Sequence, residues 1–168
     1  MNSKYEISTK ENREFLKASC EELLNFGHRF PSPNGGSYYL GDDGTPWKDR
    51  NRETWITCRM AHVYSLGLML GHEGSGELAD AALKGLKGEL HDEKNGGWYA
   101  GVTPEGDIVP NKQCYAHAFV ILAASSALTA GRPGAKELLE EALAVYDRHF
   151  WNEEEGLACD TWNTEFTV

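Results

Sequence analysis

The sequence predicts an all-α protein, part of a ring in which outer and inner helices alternate (an α/α toroid), with short β-hairpins leading into the inner helices. Three observations point there. A pattern recurs with a period of ~60 residues. Helices apolar on nearly every side alternate with amphipathic ones. A Gly-Gly-aromatic segment and a turn precede each fully apolar helix.

The repeat is one of pattern more than identity. Gly35-Gly36-Ser37-Tyr38 is echoed by Gly96-Gly97-Trp98-Tyr99, and each is followed by a turn, Asp42-Asp43-Gly44 and then Pro104-Glu105-Gly106. A shift of ~60 sets Trp55 over Tyr115, Ala61 over Ile121, Leu78 over Leu138, Ala82 over Ala142 and Leu90 over Phe150. Units are expected at about 35–95 and 96–155, within a single toroid domain over 1–168. A third unit starts at Gly156 and is cut where its inner helix falls due.

Taken in order, Lys10 to Phe26 reads as an amphipathic outer helix carrying Phe15, Leu16, Leu23 and Leu24. The first hairpin then leads into an inner helix from Trp55 to Leu70, apolar all round and so expected to be buried. After Gly71 comes an outer helix with Leu78, Ala82, Leu83 and Leu86 on one face and Lys84, Lys87 and Glu89 off it. The second unit repeats this order. Its inner helix runs from Cys114 to Ala130, and its outer helix turns Leu138, Leu139, Ala142 and Tyr146 inward and Glu137, Glu140, Glu141 and Arg148 to water. The order outer, inner, outer, inner, outer suits a closed ring better than an open solenoid, because the inner helices show no polar concave face. Five helices do not close such a ring, and an open part-ring exposes apolar surface that favours homo-oligomers.

Composition narrows the partners. The 168 residues carry 16 Lys and Arg against 26 Asp and Glu, a net charge of −10. A surface of that sign repels nucleic-acid phosphates and anionic lipid heads. No apolar run reaches the ~18 residues that a membrane span needs. The charged start, MNSKYEISTKENREF, lacks the apolar core of a secretory signal, so a cytoplasmic protein is expected. Cys20, Cys58, Cys114 and Cys159 are far apart and form no CxxC pair, which argues against a disulfide framework. The six histidines show neither HxxxH nor HExxH spacing, so no metal site and no cofactor are expected.

Polar residues on inner helices are the informative ones. Trp55, Arg59 and His62 are spaced i, i+4, i+7 and share a face. A guanidinium does not deprotonate, so Arg59 either meets a carboxylate, with Glu53 or Asp49 within reach, or lines a wet cavity beside an aromatic platform suited to a sugar ring. The second inner helix starts QCYAHAF, placing Gln113 and His117 at i, i+4 and Tyr115 on another flank; a pocket role and a hydrogen-bonded core His and Tyr both fit. Trp98 is expected to pack over the inner helices. His28, His72, His91 and His149 are expected at helix C-terminal carbonyls or in solvent. Neither inner helix holds an Asp or Glu, so the pair of carboxyl groups that glycoside cleavage needs is missing. Cation, imidazole, phenol and amide suit a neutral polyol and a developing enediolate better.

Four segments, ETWITCRMAHVYSLG (Glu53 to Gly67), NGGWYAG (Asn95 to Gly101), KQCYAHAFVILAASSA (Lys112 to Ala127) and HFWNEEEG (His149 to Gly156), resemble the N-acylglucosamine 2-epimerase superfamily, most closely its D-mannose and sulfoquinovose isomerase branch. The resemblance implies the N-terminal part of an (α/α)6 barrel and a metal-independent aldose–ketose isomerase or 2-epimerase working through a cis-enediolate on a monosaccharide. On that basis Arg59 would bind sugar oxygens and stabilise the enediolate. Trp55, Tyr115, His117 and Gln113 would line the substrate site. The two acid/base histidines of the family lie on later inner helices, outside these 168 residues. Two other functions compete: a non-catalytic, sugar-binding or self-associating half-barrel, and a glycoside hydrolase on the same toroid.

Overall fold

Thr9 opens the first helix, α1 (Lys10–Gly27): its backbone is extended and its hydroxyl accepts the Asn12 N–H at 3.3 Å, as an N-cap should. The structure, a computed structural model, describes residues 6–167. After α1 come β1 (Tyr39–Leu40), β2 (Pro46–Trp47), β3 (Arg52–Glu53), the inner helix α2 (Thr54–Met69) and the outer helix α3 (Ser75–Leu86). The second unit gives β4 (Gly101–Val102), β5 (Ile108–Val109), β6 (Lys112–Gln113), inner α4 (Cys114–Thr129) and outer α5 (Ala135–Val145), which continues as a π-helical turn over Tyr146–Phe150. Strands β7 (Trp151–Asn152), β8 (Leu157–Ala158) and β9 (Thr161–Trp162) follow.

The two units are stitched in the same way. Strand β3, which leads into α2, pairs antiparallel with β4 of the next hairpin, and β6, which leads into α4, pairs antiparallel with β9. The first amide of each inner helix is satisfied from the following hairpin: Thr54 N–H donates to Ala100 O at 3.0 Å, and Cys114 N–H to Asp160 O at 2.8 Å. Both outer helices start at a left-handed glycine, Gly74 and Gly134. Helix α2 packs against α3 and α4, and α4 against α5. The core between them holds Cys58, Ala61, Tyr64, Leu83, Leu86, Trp98, Val120, Ala124 and Leu138.

Small residues let these layers close. A Cβ on Gly85 of α3 would lie 2.5 Å from Gly36 Cα, so the first Gly-Gly segment rests directly on the helix backbone. The Gly36 N–H donates to Ala81 O at 3.2 Å there. Trp98 is fully buried and its indole N–H donates to Leu86 O at 2.7 Å, so the second aromatic segment packs as expected.

Two expectations about burial meet a different structure. Leu24 is buried, but Phe15, Leu16 and Leu23 on α1 are exposed. The C-terminal end of α1 is anchored where the Tyr64 hydroxyl donates to Leu24 O at 2.8 Å and sits against Gly27. The inner helices are covered on three sides, while Val63, Leu66 and Met69 of α2 and Leu122 and Leu128 of α4 remain exposed along the fourth. That side has no neighbouring element among the described residues. All four cysteines are free, and Cys58 is buried, which pushes its thiol well above the usual range.

Candidate active site

At the hairpin end of the inner helices three aromatic side chains contact one guanidinium, and a fourth ring adjoins them. Arg59, two turns into α2, lies 4.7 Å from the Trp55 ring centroid and 5.1 Å from that of Phe119 on α4. Its Nη2 donates to the Tyr115 hydroxyl at 3.2 Å. Tyr115 is 51% exposed, and its ring meets Trp55 edge-on at 6.0 Å and Phe119 at 4.9 Å. Tyr39 of the first hairpin is the fourth ring, 6.4 Å from Trp55.

Glu53 holds this cluster from below. It is the N-cap of α2, but its side chain does not cap the helix. Its Oε2 instead accepts the Trp55 indole N–H at 2.9 Å and the Tyr39 hydroxyl. Burial, then the Glu53 carboxylate, push the Tyr39 phenol well above its usual range. The carboxylate is committed to two neutral donors, and Arg59 makes no ion pair among the described residues. Of the two sequence readings of Arg59, the structural ion pair with Glu53 or Asp49 is therefore not formed. The guanidinium is exposed beside its aromatic neighbours and also covers the Trp55 face that the sequence had offered as a sugar platform.

Trp55, Arg59 and Tyr115 are thus brought together, and His117 and Gln113 are not joined to them. His117 is fully buried on the opposite flank of α4. Its Nδ1 lies 2.8 Å from Gln113 O and its Nε2 accepts the Trp98 N–H at 3.1 Å. With Nε2 accepting, the ring is neutral and Nδ1–H is the donor. Burial first, and then the nearby Lys112, lower its pKa to about 4. The repeat explains the position. In the first unit Ser37 N–H donates to the Thr57 hydroxyl at 3.0 Å, so in each unit the residue beyond the Gly-Gly pair is tied to a polar side chain of the inner helix. Gly97 is required there, since a Cβ would lie 2.7 Å from His117 Nε2 and the backbone has φ +74°. Gln113 contributes its backbone oxygen to His117 and stands at the N-cap position of α4 without a side-chain capping bond.

The remaining histidines divide. His28 meets Asn25 O at the end of α1 as expected, whereas His72 meets the Ser75 hydroxyl at 2.8 Å and His91 meets Glu141 at 2.6 Å. In both of these the outer helix starts or passes within reach, and a side-chain partner replaces the carbonyl. Tyr39 and Phe119 are site residues that sequence reading missed, and it offered Glu53 only as an ion-pair partner for Arg59. Phe119 was accessible, one turn after Tyr115. Tyr39 reaches the site only because the hairpin folds back.

A surface depression lies elsewhere, on the outer side, between Asn34, Asp80, Lys84, Lys87 and Glu89. Its charged groups are all engaged, Lys84 with Pro33 O, Lys87 with Pro133 O, Asp80 with Arg132 and Glu89 with Arg52. Among the described residues no three His, Cys, Asp or Glu side chains are grouped so as to hold a metal ion. No described helix is long and apolar enough to cross a membrane.

Against known families, the model for N-acylglucosamine 2-epimerase (GlcNAc 2-epimerase) matches residues 35–168. The chain belongs to the N-acylglucosamine 2-epimerase family. D-mannose isomerase of Thermobifida fusca is 40% identical over 153 residues, covering 90% of this chain and 38% of that protein. D-mannose isomerase of Pseudomonas cannabina pv. alisalensis is 34% identical over 161 residues, covering 96% and 38%. Among solved structures, a crystal structure of D-mannose isomerase superposes with a TM-score of 0.83 at 24% identity, over 93% of this chain and 42% of that one. Cellobiose 2-epimerase from Bacillus thermoamylovorans B4167 gives 0.81 at 23%, over 94% and 42%. These structures establish the fold: the helices described here are part of the (α/α)6 barrel of the epimerase family. The chain spans about two fifths of the length of the relatives it matches and corresponds to their N-terminal part.

Proposed function

We propose that this chain supplies one wall of the monosaccharide site of a sugar isomerase, and that the reaction is aldose–ketose interconversion of the mannose–fructose type. Arg59 carries the reading: a permanent cation, exposed on the inner face, bracketed by Trp55 and Phe119, tied to Tyr115 and not neutralised by a carboxylate. Once the sugar ring opens, a base takes the proton from C2. The electrons left behind form a C1–C2 double bond, and negative charge develops on the adjacent oxygens. Returning the proton to C1 gives the ketose, and returning it to the other face of C2 gives the epimer. A planar guanidinium fork matches two neighbouring cis oxygens and stabilises that charge where it develops. The Tyr115 oxygen already accepts from Arg59, so its own proton is available to a sugar oxygen.

His117 is committed to Gln113 and Trp98, and His62 is held through Nδ1 by Ser126; in this reading neither takes the acid/base role that the family resemblance implies. In this reading the acid and base come from further inner helices of a longer protein, in keeping with the two-fifths coverage of the D-mannose isomerases. The test joins residues 1–168 to the remaining part of the Thermobifida fusca enzyme and follows mannose and fructose by NMR in deuterium oxide. The chimera is expected to interconvert them with solvent deuterium at C1, Arg59→Ala is expected to abolish this, and the 168-residue chain alone is expected to bind without turnover. A well-folded chimera without activity would overturn the site. Turnover by the chain alone would overturn its incompleteness.

The exposed apolar stripe of α2 and α4 favours a second reading, a sugar-binding half-ring that pairs with another copy. Sedimentation decides it: a monodisperse monomer across the micromolar range removes this reading.

A further inference from the structure

His62 lies one turn beyond Arg59 on α2 and reaches across to α4. Its Nδ1 is 2.7 Å from Ser126 Oγ, and that hydroxyl donates to Leu122 O, one turn back along α4, at 2.8 Å. A serine hydroxyl carries one proton. With that proton directed to Leu122 O, the contact with His62 is a hydrogen bond only when Nδ1 bears a proton and donates it. A neutral imidazole so held has no proton on Nε2. Nε2 meets no hydrogen-bond partner among the described residues, and every buried side-chain nitrogen or oxygen among them has one. The unpartnered Nε2 is therefore open to solvent.

We propose that Ser126 fixes His62 as the Nδ1–H tautomer, so that Nε2 stands as a hydrogen-bond acceptor on the inner face and receives a hydroxyl group of the bound monosaccharide. The sugar contact rests on the function proposed above; the tautomer does not. The chemistry of the cluster calls for such a group. Arg59 is a donor only, Tyr115 has its donor left, and Glu53 Oε2 is engaged by Trp55 and Tyr39. A polyol offers hydroxyl protons as well as oxygens, and His62 supplies an acceptor for one of them within a helical turn of Arg59. Ser126 touches no sugar and is a positioning residue: its contribution is the choice of which ring nitrogen keeps the proton.

Long-range proton–nitrogen correlation spectra of the isotope-labelled chain test this without sugar present. The expected pattern is a protonated Nδ1 and an unprotonated Nε2 at His62. Ser126→Ala should move the ring toward the Nε2–H form with unchanged helical circular dichroism, and Ser126→Thr, which keeps the hydroxyl, should retain the wild-type pattern. Titration with fructose or mannose should then shift Nε2, and both His62→Ala and Ser126→Ala should weaken binding about three- to tenfold, the loss of one neutral hydrogen bond. An unprotonated Nδ1 in the wild type overturns the tautomer assignment and leaves the site reading standing. A sugar that shifts Arg59 and Tyr115 but not His62 overturns the sugar contact. Shifts at none of the three overturn the site reading and the contact together, while the sugar-free spectra still decide the role of Ser126.

Discussion

Arg59 of the first inner helix donates a hydrogen bond to the Tyr115 hydroxyl of the second at 3.2 Å, so the two repeat units meet through side chains that neither needs for its own packing. Arg59 and Tyr115 are both exposed, and the core is built without them. An exposed pair of this kind contributes at most ~1 kcal/mol to folding. Its geometry is better accounted for by what the pair presents than by what it stabilises.

Substitution at this pair should therefore separate stability from binding. Arg59→Ala and Tyr115→Phe are expected to shift the unfolding free energy by less than about 1 kcal/mol. Arg59→Ala should weaken sugar binding at least ~10-fold, because hydrogen bonds to a charged group contribute about 1.5–3 kcal/mol, and Tyr115→Phe about three- to tenfold, the loss of a neutral one. Arg59→Lys should not restore binding, since an ammonium lacks the planar fork and the stacking surface that lies over Trp55. Urea unfolding beside fructose titration checks both halves.

Glu53 sets the orientation of Trp55 and, through it, the surface beneath Arg59. Glu53→Gln keeps an acceptor oxygen but removes the charge that strengthens both of its hydrogen bonds, at an expected cost of about 1–2 kcal/mol. It also weakens the hydrogen bond and removes the charge by which Glu53, after burial, raises the Tyr39 phenol. Ultraviolet phenolate titration should show one tyrosine ionising at distinctly lower pH in the variant. An unchanged titration curve would mean that burial alone holds Tyr39.

The repeat made most of the fold legible, because the spacing of Gly-Gly-aromatic segments, turns and apolar helices has one physical solution: inner helices covered by outer ones. Trp55, Arg59 and Tyr115 were legible for a related reason, as polar or amphipathic residues on helices with no other use for them. Glu53 and Tyr39 were not. Their contact is made by a hairpin folding back on the helix it precedes, and no local periodicity encodes that return. At His117 the sequence leaves a pocket role and a hydrogen-bonded core histidine both open. Under the ~60-residue shift it stands where Thr57 stands, and a polar residue recurring at one register of a repeat marks a backbone tie. The same shift pairs Arg52 with Lys112, two buried cations placed just before an inner helix.

His117 makes stability depend on pH. Its folded pKa of about 4 lies below the unfolded value of 6.5, so between these values the unfolded chain binds a proton that the folded chain refuses. The stabilisation is complete above pH 6.5 and is lost as the pH falls toward 4, by about 3 kcal/mol in all. His149, whose pKa is lowered by burial and by Arg148, acts with the same sign. Unfolding free energies from urea titrations between pH 4 and 8 should slope downward on the acid side. His117→Gln should flatten most of that slope and leave the residue due to His149. An equal slope in variant and wild type would place the linkage elsewhere.

The most costly single substitution is expected at Lys112. Its ammonium is fully buried, donates to Asp92 Oδ2 at 2.8 Å and to Gly96 O at 2.6 Å, and lies 4.1 Å from the Phe166 ring centroid. Asp92 also accepts the Lys94 and Asn95 amides at 3.0 and 3.1 Å, which shapes the turn leading into the second Gly-Gly segment. Burial pushes the Asp92 carboxyl up, but Lys112 and Asn95 outweigh it and hold the group well below the usual range. Lys112→Met strands that carboxylate in the interior, at an expected cost of about 3–5 kcal/mol at pH 7. Without the cation, burial should raise the folded pKa of Asp92 above its unfolded value, so the penalty should shrink as the pH is lowered and the carboxyl takes a proton. Lys112→Met combined with Asp92→Asn removes both charges and should recover most of the loss. Arg52→Met, at the corresponding position of the first unit, should cost less, because its partner Glu89 is 37% exposed whereas Asp92 is buried. Urea unfolding of these variants at pH 5 and 7 tests the whole set. A Lys112→Met penalty below ~1 kcal/mol, or one that grows as the pH falls, would show that the pair does not hold the turn onto the second inner helix.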